Sequence, residues 1–538
     1  MTEQSAGRSD GPHSLGRWPT DRAQQAPEQL AVDDGGSQVS YRELDARASA
    51  LAELLRRHHQ PGDRIATLTG NSADHVVVFF ACAKARLVLV PLSWRLSPRE
   101  LTSQLAHAEP ALLLVEAAFG ELATAALVTL TTPPPTAALG RAGVESGVGM
   151  GERSLGDAPL LSAREPAGRF GVAPPTPPAG ESGLDPVRDD DPLLLLYTSG
   201  TAGRPKGVVL THANCFWTNL SLSRAVPIGP ADTVLAVLPQ FHVGGWNVQP
   251  LLAWWVGATV LLERTFDAGR ALRLIAGRAV TTMMGVPANY LFLAEHPDFA
   301  ATNLGSLRHA VVGGAPMPEP LLRSWHRRGV LLVQGYGLTE AAPNVLCLPG
   351  EQARQRVGFA GRPYPYVEVA VADAPAEGSA EGELLVRGPN VFAGYWRDPA
   401  ATDRVLREGW LHTGDRVARD EQGYYRVLDR VDDMFVSGGE NVSPSEVESV
   451  LHEHPAVAEA AVVGWPDERW GRVGVAFVVC RPACPATAAE LIAHCRTALA
   501  GYKVPREIRL VSELPHSAVG KLLRRDLRAD TRQEGIAR

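Results

Sequence analysis

The stretch Leu193–Val209 reads LLLLYTSGTAGRPKGVV and is the segment that decides the fold. Its four leucines form an apolar run that is too short for a helix and suits a buried strand. Small, hydroxylated and glycine residues follow, with a lysine at 206, before a second apolar pair. Glycines let backbone N–H groups approach an anion, hydroxyls donate further hydrogen bonds, and the lysine adds positive charge. The stretch therefore predicts a phosphate-binding loop between two strands.

This loop differs from the Walker A pattern, which places Gly before the lysine and Ser or Thr after it. Pro205 and Gly207 occupy those two places. On this loop alone, a polar hairpin that binds nothing remains an alternative.

Composition and charge narrow the class of protein. A chain of 538 residues is expected to form more than one domain. With 45% hydrophobic and 21% charged residues, it resembles ordinary globular proteins. The formal net charge of −7 argues against general binding to nucleic acid or to anionic membranes, but it allows a nucleotide ligand, which needs only local positive charge.

The cellular compartment is predicted from the N-terminal residues, the length of the apolar runs and the cysteines. The first 25 residues lack the apolar segment of a signal peptide, and the longest apolar run, Leu251–Leu262, is too short to span a bilayer. The six cysteines include one close pair, Cys480 and Cys484, and no second pair or histidine spacing completes a zinc site. We expect six free thiols and a cytoplasmic protein.

Alternating helical and strand patterns predict an α/β fold with parallel strands. A capping box at Ser40–Glu43 begins a helix, and strand-like and helical runs alternate after it. Two stretches are exceptions. Residues 1–27 are predicted to be a poorly ordered lead-in, and residues 131–191, rich in Pro and Gly, are predicted to be a surface loop or partly disordered insert.

Three later segments place polar residues directly after apolar strands. His242 follows the strand ending at Pro239, where sites gather in α/β folds, although a lone histidine is more often structural. Gly313, Gly314 and Ala315 follow another strand. In Gly335–Glu340, glycines allow close approach to a flat ligand, Tyr336 can stack on a base, and Thr339 and Glu340 offer oxygens for phosphate and Mg²⁺. A packed turn with a solvated Glu340 is the alternative.

The last third begins with strands and becomes mixed. Asp415 ends a turn after Gly409, and the charged run Asp429–Asp433 between apolar strands suggests a domain boundary. Ser443–Glu446 reads as a second capping box with Pro at the first helical position, opening a small α+β unit. Lys521 follows a glycine near the end, where a solvated charge is the simpler interpretation.

These motifs in this order resemble the adenylate-forming superfamily, which includes acyl-CoA synthetases, peptide-synthetase adenylation domains and beetle luciferases. The resemblance covers roughly residues 25 to 525. It rests on six segments: YTSGTAGRPKGV, PQFHVGG, VGGAP, QGYGLTE, GWLHTGD with YRVLDRVDD, and GKLLRRDLR. Each is a moderate signal, whereas all six in sequence are a strong one.

The resemblance implies a role for each motif residue. The β- and γ-phosphates of ATP would be held by Thr198, Ser199, Gly200, Thr201, Gly203 and Lys206. Adenine would be lined by Gly313, Gly314 and Ala315, with Tyr336 on its face between Gly335 and Gly337. Thr339 would contact the α-phosphate, Glu340 would bind Mg²⁺, Asp415 would accept both ribose hydroxyls, and Arg430 would add a contact near the ribose. The catalytic residues would be Lys521, His242, Thr339 and Glu340.

The resemblance also implies the domain plan. A large N-terminal α/β domain of several subdomains, residues 28–431, would precede a small mobile α+β C-terminal domain, residues 433–538, with the hinge at Asp432. This domain would swing between two half-reactions, withdrawing Lys521 and bringing Ser437, Gly438 and Gly439 to the pantetheine of CoA. ATP, Mg²⁺ and CoA are thus the expected cofactors.

The acyl group would be bound by the segments after His242 and after Glu340. They supply Val243, Gly244, Gly245, Trp246, Ala341, Ala342 and Pro343. The two glycines are expected to leave room, Trp246 favours an apolar or aromatic group, and no cationic residue in these segments would hold a second carboxylate. The expected substrate is an aryl or a fatty acid.

Three functions remain open on the sequence. An acyl-CoA ligase is favoured because both domains are present. An acyl-AMP ligase that loads a carrier protein is the alternative, and a non-catalytic nucleotide-binding relative is a third, which the intact Lys206, Glu340, Asp415 and Lys521 argue against. No nucleic-acid partner is expected, and the sequence does not determine the oligomeric state.

Overall fold

The computed structural model describes residues 10–140, 186–198, 206–315, 317–430, 433–437, 440–467, 470–499, 501–516, 522–524 and 526–527. Its contacts divide the chain into two compact units. Unit 1 contains the described residues of Met1–Phe266, Thr339–Pro343 and Pro389–Thr402. Unit 2 contains those of Asp267–Leu338, Asn344–Gly388 and Asp403–Arg538. The chain thus passes from unit 2 into unit 1 between Leu338 and Thr339, inside one of the predicted motifs.

The strands follow the short apolar runs of the sequence. In chain order they are β1 Leu30–Asp33, β2 Gln38–Ser40, β3 Arg64–Leu68, β4 Val88–Leu92, β5 Leu112–Glu116, β6 Thr136–Leu139, β7 Pro192–Thr198, β8 Lys206–Thr211, β9 Thr233–Ala236, β10 Thr259–Leu262, β11 Thr282–Gly285, β12 His309–Val312, β13 Leu332–Gly337, β14 Asn344–Cys347, β15 Arg362–Pro363, β16 Glu368–Val371, β17 Ala380–Arg387, β18 Gly394–Tyr395, β19 Leu406–Arg407, β20 Trp410–Arg419, β21 Tyr425–Arg430, β22 Phe435–Ser437, β23 Glu440–Val442, β24 Val457–Asp467, β25 Gly471–Cys480 and β26 Glu507–Leu510.

The helices alternate with these strands through much of the chain. They are α1 Trp18–Gln25, α2 Tyr41–His58, α3 Ala73–Ala85, α4 Pro98–Ala108, α5 Gly120–Leu127, α6 His212–Ala225, α7 Gly244–Asn247, α8 Pro250–Val256, α9 Ala268–Gly277, α10 Pro287–Glu295, α11 Glu319–Arg327, α12 Pro399–Val405, α13 Pro444–Glu453 and α14 Ala488–Ala498. No helix among the described residues combines the length and the apolar character needed to cross a membrane.

Unit 1 contains two sets of paired strands. One has the order β18-β8-β7-β4-β3-β5-β6, in which β3 runs parallel to both β4 and β5 while β7 and β8 form an antiparallel hairpin. The other has the order β9-β10-β1-β2, with β1 parallel to β10. Because β3 lies between strands that follow it in the chain, the carboxyl ends of these strands form the kind of edge at which α/β folds bind ligands.

Unit 2 contains three sets of strands. β11, β12 and β13 run parallel, and β14 and β15 continue antiparallel from β13. β16, β17, β20 and β19 form an antiparallel sheet to which β21 is added. Near the C-terminus, β23, β22, β25 and β24, with β26 beside β25, form a sheet accompanied by α13 and α14. The predicted α/β fold with a smaller α+β C-terminal part is confirmed, whereas its mobility and the boundary at residue 432 stay predictions.

The capping predictions have mixed outcomes. Ser40 accepts a hydrogen bond from the Glu43 N–H and the Glu43 carboxylate accepts one from the Ser40 N–H, so the capping box at the start of α2 is confirmed. Thr211 caps α6 in the same way through Asn214. The prediction at Ser443 is wrong: α13 does begin at Pro444, but the Ser443 side chain makes no capping bond and its hydroxyl contacts that of Ser445, 2.9 Å away.

The predicted lead-in is ordered where the structure describes it. α1 lies within it, and Leu15 and Trp18 are fully or almost fully buried. The indole of Trp18 stacks on that of Trp255, with ring centroids 5.1 Å apart. The prediction of disorder is therefore wrong for residues 10–27, because two apolar side chains in this polar stretch are buried, and one of them packs on a helix distant in sequence.

The predicted insert begins later than expected. Residues Thr136–Leu139 form β6, which pairs in parallel with β5, and Val187 near the other end is buried. Residues 141–185 lie outside the described part of the chain. All six cysteines are free thiols, as predicted.

Candidate active site

The hairpin of β7 and β8 carries the predicted phosphate loop. Leu193–Leu196 are buried, as the apolar run predicted, and the register pairs Thr198 with Lys206 directly across the two strands. Tyr197 anchors the hairpin: its hydroxyl donates to the carbonyl oxygen of Gln104 at 3.1 Å and lies 2.9 Å from His107 Nδ1. Burial raises the pKa of Tyr197, which keeps the phenol neutral. The two ends of the loop are thus fixed by strand pairing.

Thr339 and Glu340 lie in a short turn of unit 1, Thr339–Ala341. The Ala342 N–H donates to the Thr339 carbonyl at 3.1 Å, and Phe392 N–H donates to the Glu340 carbonyl at 2.9 Å. Asn390 Nδ2 donates to the Ala341 carbonyl at 2.9 Å. The backbone of this turn is therefore held by the segment that contains β18.

The side chain of Glu340 has a partner that the sequence did not predict. Tyr395 on β18 donates its hydroxyl hydrogen to Glu340 Oε1 at 2.9 Å. The same phenol ring lies 4.7 Å from Lys206 Nζ, measured to the ring centroid. The only sequence signal for this residue is an aromatic after glycine in Phe392–Trp396, a segment outside the predicted motifs.

The glycine turn after β12 lies in unit 2. Gly314 has φ +81°, a left-handed conformation that favours glycine. A Cβ on Gly313 would lie 3.0 Å from Met284 Cε and 3.3 Å from the Gly335 carbonyl oxygen, so this position is tight against β13. Ala315 follows directly, and Gly335, Tyr336 and Gly337 end β13 itself. The predicted adenine-binding residues therefore end two adjacent parallel strands.

Tyr336 and Asp415 meet in unit 2. The Tyr336 hydroxyl donates to Asp415 Oδ2 at 2.6 Å. Asp415 is 8% exposed on β20, its N–H donates to Thr413 Oγ1 at 3.1 Å, and its backbone pairs with that of Arg430 on β21. Tyr336 and Asp415 come from two different predicted motifs, and the hydrogen bond brings the aromatic ring of one next to the carboxylate of the other.

His242 follows β9 in unit 1, in a hydrogen-bonded turn in which its N–H donates to the Pro239 carbonyl at 3.1 Å. The Gln240 N–H donates to Asn71 Oδ1 at 2.8 Å, and Asn71 Nδ2 donates to the Leu238 carbonyl at 2.9 Å. Burial lowers the pKa of His242 to about 4, and the charge of Arg95 acts in the same direction. Its Nε2 is buried without a hydrogen-bond partner among the described residues. Such an atom costs about 1–3 kcal/mol unless a ligand or water satisfies it.

The predicted acyl-binding residues are largely buried. Trp246 is fully buried: its ring stacks on Phe79 at 4.7 Å and its Nε1–H donates to the Gln240 carbonyl at 2.5 Å. Ala341 and Ala342 are also fully buried, and Val243 is 8% exposed, which leaves Gly244 and Pro343 partly exposed. The expectation that Gly245 leaves room is wrong, because a Cβ there would lie 2.3 Å from the Pro239 carbonyl oxygen.

Several predicted residues lie outside the described part of the chain. They are Ser199, Gly200, Thr201 and Gly203 of the loop, the hinge residue Asp432, Gly438, Gly439 and Lys521. Ser437, at the end of β22, is described and is 4% exposed. The roles assigned to these residues stay predictions.

The described residues fit ATP and Mg²⁺ in chemical type. An aromatic ring hydrogen-bonded to a carboxylate suits a nucleoside, since the ring can stack on the base and the carboxylate can accept from hydroxyls. Glu340 is a hard oxygen ligand of the kind Mg²⁺ prefers. Because a carboxylate has about four lone-pair sites, the bond from Tyr395 leaves it capacity for a metal ion.

Comparison with known proteins agrees with these features. Two family models match, AMP-binding enzyme over residues 20–396 and AMP-binding enzyme C-terminal domain over residues 446–521. A feruloyl-CoA synthase of an Amycolatopsis species is 39% identical over 518 residues, covering 96% of this chain and 98% of that protein. An indoleacetate–CoA ligase of Aromatoleum aromaticum is 36% identical, with 96% and 97% covered.

A solved structure is similar throughout its length. The o-succinylbenzoate CoA synthetase of Bacillus subtilis, determined with ATP and a magnesium ion, superposes with a TM-score of 0.80 at 31% identity, covering 95% of this chain and 99% of that one. The chain therefore belongs to the AMP-binding enzyme family, and the resemblance to adenylate-forming enzymes is confirmed. Within it, the protein is an ATP-dependent, AMP-forming acid–CoA ligase that activates a carboxylic acid and transfers the acyl group to CoA.

Proposed function

We propose that the carboxylic acid is an aryl acid, with fatty acids as the weaker alternative. The observation that carries this proposal is the aromatic surrounding of the buried Nε2 of His242. The ring of Phe241 lies 4.6 Å from the imidazole, and Trp94 meets Phe241 edge-on at 6.4 Å. Trp94 in turn stacks on Phe119 at 5.4 Å, and both of these rings are partly exposed.

Aromatic rings pair in stacked or edge-to-face arrangements worth about 0.5–1.5 kcal/mol beyond the area they bury. An aryl substrate would extend this series of rings, while its polar end could satisfy the imidazole. The relatives support the same class, because two of the most similar are named for ferulate and for indoleacetate.

We further propose the roles of the site residues. Tyr336 and Asp415 would hold the adenosine, Thr339 the α-phosphate, and Lys206 with the loop after Thr198 the departing phosphates. Glu340 would bind Mg²⁺, which offsets the negative charge of the phosphates when bound. The support is chemical type and the contacts above: Tyr336 to Asp415, and Tyr395 to Glu340.

The chemistry then needs two displacements. A carboxylate oxygen of the acid forms a bond to the α-phosphorus of ATP as the bond to pyrophosphate breaks. The CoA thiol, losing its proton, then bonds to the acyl carbon as AMP leaves. Since two anions meet in the first step, Lys521 would stabilise the developing charge there. Rotation of the C-terminal part about Asp432 would then bring Ser437–Gly439 to the pantetheine.

The test is a substrate panel. The protein is incubated with ATP, Mg²⁺ and either ferulate, indoleacetate, benzoate, octanoate or palmitate, with and without CoA, while AMP and thioester are followed by mass spectrometry. We expect kcat/KM for the best aryl acid to exceed that for either fatty acid at least 10-fold. Preference for octanoate or palmitate would overturn the aryl assignment.

The same panel separates the acceptors. A phosphopantetheinylated carrier protein replaces CoA in a parallel series, and reactions without enzyme serve as the control. Thioester on CoA is the expected result. AMP release with thioester formed only on the carrier protein would show that the carrier, rather than CoA, is the acceptor of this enzyme.

A further inference from the structure

One short segment of unit 1 contacts both the predicted phosphate lysine and the predicted metal ligand. Strand β18 pairs with β8, with Tyr395 opposite Val208, and Trp396 N–H donates to the Gly207 carbonyl at 2.7 Å. Two residues before β18, Phe392 N–H donates to the Glu340 carbonyl. The segment is therefore fastened to the strand that begins at Lys206 and to the turn that carries Glu340.

We propose that Tyr395 is a positioning residue that holds Lys206 and Glu340 apart and orients each toward its own charge on the Mg²⁺–ATP substrate. This inference rests on the proposed roles of Lys206 and Glu340. Tyr395 contacts them at different places: Lys206 Nζ lies over the ring face, and Glu340 accepts from the hydroxyl at the ring edge.

The contacts of Tyr395 leave the charges of Lys206 and Glu340 available to a ligand. A lysine and a glutamate on adjacent segments would otherwise pair with each other, and each would lose part of its attraction for a ligand. Among the described residues no ion pair joins Lys206 to Glu340; each of the two contacts Tyr395 instead. A cation over an aromatic face is attracted without being neutralised, and a phenol hydrogen bond stabilises a carboxylate while leaving its charge in place.

Tyr395 is itself fixed, as a positioning residue must be. The residue is 9% exposed. Its N–H donates to Thr402 Oγ1 at 2.9 Å, and its ring packs edge-on against Phe392 at 4.9 Å. With backbone and ring both held, the hydroxyl has little freedom, so Glu340 takes its orientation from Tyr395 rather than the reverse.

Partners that orient a metal ligand typically account for about 10–100-fold in metal affinity. Tyr395→Phe removes only the hydroxyl and keeps the ring under Lys206, whereas Tyr395→Leu removes both contacts. The matched control is Tyr41→Phe, which loses a buried phenol hydroxyl of unit 1 that donates to the Ala258 carbonyl instead.

The experiment measures binding as well as turnover. Mn²⁺ binding to the complex with α,β-methylene-ATP, which cannot be cleaved at the α-phosphorus, is followed by electron paramagnetic resonance. Analogue affinity without metal is measured by calorimetry. We expect Y395F to weaken Mn²⁺ binding about 10-fold with unchanged metal-free analogue affinity. Y395L should also weaken the metal-free affinity about 2- to 5-fold, and Y41F should change neither.

Glu340→Gln in the same titration separates the possible failures. If E340Q binds Mn²⁺ as the wild type does, the proposed role of Glu340 is wrong. If E340Q loses Mn²⁺ while Y395F retains it, Glu340 is the ligand and the positioning role of Tyr395 is overturned. Thermal unfolding of each variant shows whether it is folded. If Y395L does not fold, the result for Y395F alone decides whether Tyr395 has the positioning role.

Discussion

The hydroxyl of Tyr336 donates a 2.6 Å hydrogen bond to Oδ2 of Asp415, which joins the end of β13 to the middle of β20. The ring proposed to stack on adenine is therefore hydrogen-bonded to the carboxylate proposed to hold the ribose. A change in either residue should alter the binding of the whole nucleoside.

Tyr336→Phe keeps the ring and removes the donor to Asp415. Because a hydrogen bond to a charged group contributes about 1.5 kcal/mol or more, we expect KM for ATP to rise about 10-fold. Asp415→Ala should raise it further, and the double variant should be less than additive since the two residues share one contact. Steady-state kinetics at saturating acid measures this. An unchanged KM for ATP in both single variants would contradict the nucleoside assignment.

Lys521 gives a prediction that depends on the sequence alone, because this residue lies outside the described part of the chain. Lys521→Ala should slow adenylate formation about 100-fold or more, as removal of a charge-stabilising donor does in other enzymes. Thioester formation from preformed acyl-adenylate should be largely retained. Single-turnover measurements of each step test this, and an equal loss in both would argue against separate conformations for the two steps.

The two glycines of α7 should respond differently to a methyl group. Gly245→Ala places a Cβ 2.3 Å from the Pro239 carbonyl oxygen, a backbone atom that cannot easily move, so we expect destabilisation of about 1–3 kcal/mol. Gly244→Ala meets only Leu238 Cδ1, at 3.1 Å, and should cost less because that side chain can shift. Urea unfolding compares the two variants; equal stability would show that the clash at Gly245 is relieved.

Buried histidines should make the protein sensitive to mild acid. Burial lowers the pKa of His212 to about 4, below its ordinary value of 6.5, against the opposing effect of Asp191. Between these two pH values the unfolded chain binds a proton that the folded chain does not. The contribution of His212 to the free energy of unfolding is therefore fully present above pH 6.5. It falls by roughly 1.4 kcal/mol per pH unit as the pH drops toward 4.

His212→Asn tests this. In the wild type the Leu15 N–H donates to His212 Nδ1, and the side-chain oxygen of the introduced asparagine can accept the same hydrogen bond. The variant should lose less free energy of unfolding than the wild type between pH 7 and pH 5. The exposed His58 provides a control for the substitution itself, and His58→Asn should leave the free energy of unfolding at pH 7 unchanged. If H212N and the wild type lose the same amount, His212 is not the residue responsible.

The sequence predicted most where signals are local. The leucines before Tyr197, the cap at Ser40 and the glycine turn after β12 all act within a few residues, and the structure agrees with each. Trp246 is predicted to contact the acyl group because it follows His242; the structure shows it fully buried against Phe79, and the acyl contact stays a prediction. Adjacency to a motif does not reveal which side of a four-residue helix faces inward.

Residues that act across long separations were missed. Tyr395 lies 55 positions from Glu340 and far from Lys206, and neither spacing nor periodicity joins them. Leu15 and Trp18 were missed for the same reason, because their partners are distant in sequence: the Leu15 N–H donates to His212, and Trp18 stacks on Trp255 of α8. In each case the decisive partner is brought close only by strand pairing and packing.

The pairing of Thr198 with Lys206 bears on how freely the loop between them can vary. The entropic cost of closing a loop depends only weakly on its length. Doubling the seven residues 199–205 would therefore raise that free-energy cost by only about 0.6 kcal/mol. The buried strands on either side already set the register. The fold would therefore accept a longer or quite different loop, and an insertion that abolishes ATP binding should leave the folding of the chain nearly untouched.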